Sequence, residues 1–204
     1  CQGAPCTDNV KNGSETDVDC GGPTCTTCAD GKKCGKAGDC ASGVCDAVSG
    51  LCAAATCTDK VKNGSETDVD CGGSTCSACA LGKGCAASTD CSKAVCDNKT
   101  CRLPLSCNEY KQHHASATTG VHTIDPDKGS TANKFTVYCD MSLGGGGWTL
   151  VAKVCATDKS DRWTWMHARW KDSSSFGNTT NLSATDAKSK AYSQVKGKAI
   201  LIHD

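Results

Sequence analysis

Two clusters of oxygen-bearing side chains are the first candidates for chemistry. Asp8, Asn12, Glu15, Asp17 and Asp19 crowd around an Asn-Gly turn, and Asp59, Asn63, Glu66, Asp68 and Asp70 do so again. A calcium ion needs about six to eight oxygens at roughly 2.3–2.6 Å, and a tight turn brings neighbouring side chains and carbonyls together. These ten residues are therefore the expected calcium ligands, in a structural role, although their spacing is not that of an EF-hand loop. The competing reading is a polar turn whose Asp and Asn side chains hydrogen-bond their own backbone.

Two Cys-X-X-Cys pairs, Cys25–Cys28 and Cys76–Cys79, have the spacing of zinc knuckles or redox dithiols. Zinc needs reduced thiolates, and a redox dithiol needs a helix N-terminus to lower its thiol pKa. Neither fits the context, so the pairs are read as halves of structural disulfides and no zinc is expected. His113, His114, His122, His167 and His203 are scattered, without a spaced carboxylate or cysteine set. No nucleophile elbow or oxyanion signature accompanies any serine, so no catalytic residue is assigned and the expectation is a non-enzyme. Trp148 reads as a core residue. Trp163, Trp165 and Trp170 either fill a core or offer indole faces to a sugar. Asn12, Asn63, Asn98, Asn178 and Asn181 each open an Asn-X-Ser/Thr sequon for N-glycosylation in a eukaryotic host.

The elements that would hold these groups are set by cysteine. The chain has 20 cysteines in 204 residues but only four tryptophans and two phenylalanines. A chain poor in large apolar side chains relies on disulfides, which persist where thiols are not kept reduced. The expected location is extracellular or the cell surface. Equal numbers of basic and acidic residues, 22 of each, argue against a nucleic-acid partner, and no apolar stretch is long enough to span a bilayer.

One repeat dominates the first half. Cys6-Thr-Asp-Asn-Val-Lys-Asn-Gly-Ser-Glu-Thr-Asp-Val-Asp-Cys20 returns almost letter for letter as Cys57 to Cys71. Cys6, Cys20, Cys25, Cys28, Cys34, Cys40, Cys45 and Cys52 correspond to Cys57, Cys71, Cys76, Cys79, Cys85, Cys91, Cys96 and Cys101, with two residues deleted before the last. Each unit is expected to close its own bridges, but spacing alone does not choose the pairing. Cys1 precedes Cys6 as Cys52 precedes Cys57, and reads either as the tail of an earlier repeat or as a mature terminus. The predicted organisation is a tail or linker over 1–5, cysteine-rich repeats over 6–52 and 57–101, and a second domain over 105–204.

That second domain shows strand-like alternation at 121–124, 135–138 and 148–154, with Gly144-Gly-Gly-Gly147 as a turn or bulge. Arg162 to Trp170 reads as a short helix or an irregular aromatic layer. Ser106-Cys107-Asn-Glu, Gly120-Val-His-Thr-Ile-Asp-Pro126, Phe135-Thr-Val-Tyr-Cys-Asp-Met141 and Gly145-Gly-Gly-Trp-Thr-Leu-Val151 resemble the fibrinogen-related C-terminal domain of fibrinogens, ficolins and, more distantly, intelectins. Asp186 to Tyr192 and Ala199 to Ile202 are similar to bacterial members. The resemblance implies a Cys107–Cys139 disulfide. It covers only the first half of that domain, so no ligand-binding residue carries over, and Cys155 lacks an obvious mate. Cys1 and Cys155 are candidates for intermolecular bridges. The eight-cysteine units are similar to arrays on secreted bacterial surface proteins, and their acidic turns to thrombospondin type 3 and Notch-type repeats.

The fold class expected is thus small disulfide-rich repeats with little regular secondary structure, followed by a partial α+β fibrinogen-like domain. The expected function is a surface protein whose stapled stalk carries a head for adhesion, with glycans or other cell-surface ligands as partners. The alternative is a structural filament subunit that associates with copies of itself, another chain completing the strand edge at Ala199-Ile-Leu-Ile202.

Overall fold

The computed structural model describes residues 6–129, 131–155 and 167–202. They form two compact units: Cys1–Cys79 with Gly84–Ala86, and Ala80–Lys83 with Ala87–Asp204. Regular structure is sparse, with small antiparallel sheets and little helix. No helix of the described residues is long and apolar enough to cross a membrane.

In the first unit, half-cystines take the place of an apolar core. Cys6–Cys25 interleaves with Cys20–Cys28, and Cys34–Cys45 with Cys40–Cys52. Each repeat is thereby built from a front loop pair and a rear loop pair. Cys28, Cys40 and Cys52 are almost fully buried, with Cys20 close behind, and Cys34 and Cys45 pack against them. The second repeat repeats the front half as Cys57–Cys76 and Cys71–Cys79. Cys91–Cys101 matches Cys40–Cys52, and Cys85 and Cys96 are disulfide-bonded as well. The Cys-X-X-Cys sulfurs are thus each bonded to a cysteine outside their own pair.

The rear of each repeat is a hairpin. In the first repeat β1 (Cys45–Asp46) pairs with β2 (Leu51–Cys52). In the second unit β3 (Val95–Asp97) pairs with β4 (Thr100–Arg102), and the two-residue deletion shortens the turn to Asn98-Lys99. Both turn residues have positive φ, 48° and 60°, as a type I′ hairpin turn requires. Lysine resists that conformation and glycine does not. Lys99→Gly should stabilise the chain by about 0.5–1 kcal/mol, read as a higher midpoint in thermal unfolding.

Downstream, α1 (Cys107–His113) is capped by Ser106, whose hydroxyl accepts the Glu109 N–H at 3.2 Å. A three-stranded antiparallel sheet follows, in the order β5 (Gly120–Ile124), β6 (Phe135–Asp140), β7 (Trp148–Thr149). Cys107–Cys139 ties α1 to β6, and those half-cystines cluster with Ile124, Val137, Met141 and Ala191 in the core. The apolar run 148–154 is not one strand. It breaks at Leu150-Val151, and β8 (Ala152–Lys153) pairs instead with β9 (Ala187–Lys188), just ahead of α2 (Ala191–Gln194).

The glycine tract turns as its composition requires. A Cβ at Gly146 would lie 2.0 Å from the Met141 carbonyl oxygen, and one at Gly147 would lie 2.9 Å from Asn108 Cα. Trp148 is half-buried and donates its indole N–H to the Leu143 carbonyl at 2.7 Å, which fixes it as a structural residue. Arg162 to Met166, with Trp163 and Trp165, lie outside the described residues. Ala168–Trp170 forms a single 3-10 turn, and Trp170 packs on Tyr192 at 5.9 Å.

Candidate functional site

The carboxylates of the repeats accept hydrogen bonds from the backbone, while the Asn12 Oδ1 is buried without a partner. Asp19 accepts the Asp8 and Asn9 N–H groups, and Asp8 accepts Val10 N–H and the Asn12 side-chain amide. Glu15 is buried and accepts Asn12 N–H, while Asp17 accepts Val18 and Lys33 N–H. The Lys33 and Val18 amides hold the Asp17 carboxyl below its ordinary range. The second repeat copies this arrangement. Asp59 accepts Val61 and Thr56 N–H, Glu66 accepts Asn63 N–H, Asp68 accepts Val69 N–H, and Asp70 accepts Lys60 N–H. In this geometry the carboxylates lock turns.

Two further buried oxygens without a partner lie in the loop between β5 and β6. Ile124 ends β5 in the core and draws Asp125 inward, where it is 5% exposed, and its N–H donates to the Pro104 carbonyl at 2.8 Å. Asp125 Oδ1 and Asn133 Oδ1 are both buried without a hydrogen-bond partner. Asp127 lies between them in the chain. Its Oδ1 accepts Gly129 N–H at 2.9 Å, and its Oδ2 accepts the Asn133 side-chain amide. Burial, and then the neighbouring Asp127 carboxylate, push the Asp125 carboxyl above its usual range. Gly129 N–H and the Asn133 amide lower Asp127.

Asp125 and Asn133 thus each bring a buried oxygen without a partner to this loop, which also carries the Asp127 carboxylate. In the sequence Asp125 falls inside the Gly120 to Pro126 motif of the resemblance, and neither Asp127 nor Asn133 carries a signal of its own. The burial of Asp125 is a tertiary effect, produced by Ile124 and Pro104, that no local pattern announces.

Beside this loop an ionic hub joins β4 to α1. Arg102 reaches Asp97 at 2.6 Å and holds Glu109 through two bonds of 2.6 and 3.0 Å, while Lys128 reaches Asp97 at 3.0 Å. Glu109 also accepts the Leu105 N–H at 2.6 Å. Burial raises the Glu109 pKa, but Arg102 and the Leu105 amide outweigh it and the net shift is downward. The Arg102 and then Lys128 side chains lower Asp97 to about 2. A depressed carboxyl contributes stability above its unfolded pKa and loses it as the pH falls through the folded value. Resistance to chemical unfolding should therefore fall progressively as the pH drops from about 4 to about 2. Arg102→Ala should flatten that dependence and cost about 1–2 kcal/mol through the lost pairing with Glu109.

A second feature without sequence signal is Lys188, which is 1% exposed. Its ammonium donates to Asp172 Oδ1 at 2.6 Å, to the Asp172 carbonyl at 2.9 Å and to the Arg169 carbonyl. Lys188 lowers the Asp172 carboxyl to about 2. The group anchors the segment 168–172 to β9. Asp186, also buried, accepts the N–H of the half-buried thiol residue Cys155 at 2.6 Å.

The remaining candidates are dispersed. His114 Nε2 meets the Ala94 carbonyl and His122 Nε2 the Thr118 carbonyl, with both rings packed on Tyr110. His167 accepts the Arg169 N–H, and His113 is exposed at the end of α1. His203 and Cys1 lie outside the described residues. The sequons Asn98, Asn178 and Asn181 are exposed, whereas Asn12 and Asn63 are half-buried with their amides hydrogen-bonded.

Residues 96–197, half of the 204-residue chain, match the family model of the fibrillar collagen C-terminal domain. The match starts within the second repeat and runs through the hub, the acidic loop and the Lys188 anchor. It falls on the region expected to be fibrinogen-related, and the family it shows is a different one. The chain belongs to the fibrillar collagen C-terminal domain family.

Proposed function

We propose that this protein is an extracellular structural module, in which stapled repeats carry a collagen-type domain that associates with copies of itself and holds a structural calcium ion at Asp125, Asp127 and Asn133. The family match over residues 96–197 carries this reading. The extent of disulfide bonding fits an oxidising, extracellular setting. Exposed apolar side chains at Ile200 and Ile202, and the edge position of β5 in its sheet, offer surface for association. The calcium assignment rests on the unpartnered buried oxygens of Asp125 and Asn133. Within these 204 residues the two eight-cysteine repeats stand in front of the domain.

The competing role, a glycan-binding head, makes a different prediction. Sedimentation equilibrium of the full chain at micromolar concentrations should return a mass that is a multiple of the single chain, and a glycan array should show no retention. A monomer that is retained on the array would reverse the assignment.

A further inference from the structure

The second repeat docks on the first through a small, well-defined face. Asn63 Nδ2 donates to the Ser42 carbonyl of the first repeat at 2.8 Å and to its own Asp59 at 3.1 Å. Val61 packs so closely that a Cβ added to Gly43 would lie 3.3 Å from its Cγ1, and a Cβ at Gly64 would lie 3.5 Å from that of Ala55. The Ser42-Gly43 corner of one repeat thus seats on the Asp59, Val61 and Asn63 face of the next.

The first repeat builds the same face with the same residue types. Asn12 Nδ2 donates to Asp8 at 2.8 Å, Asp8 accepts Val10 N–H at 2.9 Å, and Glu15 accepts Asn12 N–H at 3.2 Å. In the second repeat the last two distances are likewise 2.9 Å and 3.2 Å. The two faces differ in occupancy. Val10 is 56% exposed where Val61 is half-buried, and Asn12 Oδ1 is buried without a partner. No second acceptor for the Asn12 amide, equivalent to Ser42, is found among the described residues.

The Ser42 corner of the first repeat serves Asn63. At the corresponding corner of the second repeat, Lys93-Ala94, the Ala94 carbonyl meets His114 Nε2 at 2.7 Å. We propose that the Asp8, Val10 and Asn12 face is a docking surface for the Ser-Gly corner of a further eight-cysteine repeat, joined ahead of the first through Cys1. The sequence supports a covalently joined occupant, because Cys1 and Cys6 have the spacing of Cys52 and Cys57 across the linker that already joins two docked repeats.

The test uses the full chain extended by a second copy of residues 6–56 placed before Cys6. Side-chain amide exchange is followed by NMR, with the docked Asn63 amide as internal reference. The Asn12 amide should exchange on the order of tenfold more slowly in the extended chain than in the parent, approaching Asn63. Val10→Glu in the extended chain should return it to the parental rate. Unchanged Asn12 exchange on extension, or slowing that survives Val10→Glu, would overturn the proposal. A second variant guards against misfolding of the extended chain: Val61→Glu in the parent should accelerate exchange of the Asn63 amide. If that rate does not move, the repeat contact is not a docking contact and the inference fails with it.

Discussion

Replacing both Cys107 and Cys139 by alanine should lower the thermal midpoint of the collagen-type unit by roughly 15 °C or more, the largest single effect anticipated. The bridge closes a loop with a sequence separation of 32, and chain-entropy arguments assign such a closure about 4 kcal/mol. Both half-cystines are fully buried among Ile124, Val137 and Met141, so their loss also leaves space in the core. The contrast with the repeats is informative. Cys20–Cys28 spans a separation of only eight, for which the same argument gives about 2.5 kcal/mol, and interleaved neighbours continue to restrain that loop. Differential scanning calorimetry under non-oxidising, metal-free conditions reads the difference. A midpoint change of only a degree or two for the double variant would show that the sheet is held by other means.

Calcium should produce the second large effect. With Asp125 Oδ1 and Asn133 Oδ1 buried and lacking donors, a cation supplies the missing partner and offsets the repulsion between Asp125 and Asp127. At about a hundredfold excess over its dissociation constant, calcium adds roughly 2.7 kcal/mol to a state that binds it only when folded. Unfolding of the wild-type chain should therefore shift upward with added calcium and back on chelation. Asp125→Asn should remove most of that response without lowering the chelated midpoint, since it deletes a buried charge and retains the shape. The same titration on Asp19→Asn separates the two candidate regions. If the calcium response vanished there and persisted in Asp125→Asn, the cation would belong to the repeat turns.

Much of the architecture is legible in the sequence, because cysteine spacing and strand alternation are local signals. The near-identity of Cys6 to Cys20 and Cys57 to Cys71 marks the repeat, and the residues around Phe135 and Val121 mark two strands that do form. The interleaved pairing is not legible, since alternative connectivities fit the same spacing. The break at Leu150-Val151 is hidden as well, because an apolar run carries no information on which sheet each half joins. The repeat carboxylates look like ligands in sequence. In space they meet amide donors such as Lys33 and Gly84 that lie sixteen residues away. Conversely, Asp125 and Lys188 look ordinary in sequence, and only tertiary packing makes them buried charges.

The account turns on the acidic loop of the collagen-type domain being a cation site, and isothermal titration calorimetry of calcium into the metal-free full chain tests it most directly. The predicted result is saturable binding of one ion per chain that disappears in Asp125→Asn and survives in Asp19→Asn. Absence of saturable heat in the wild-type chain, or undiminished binding in Asp125→Asn, would contradict it.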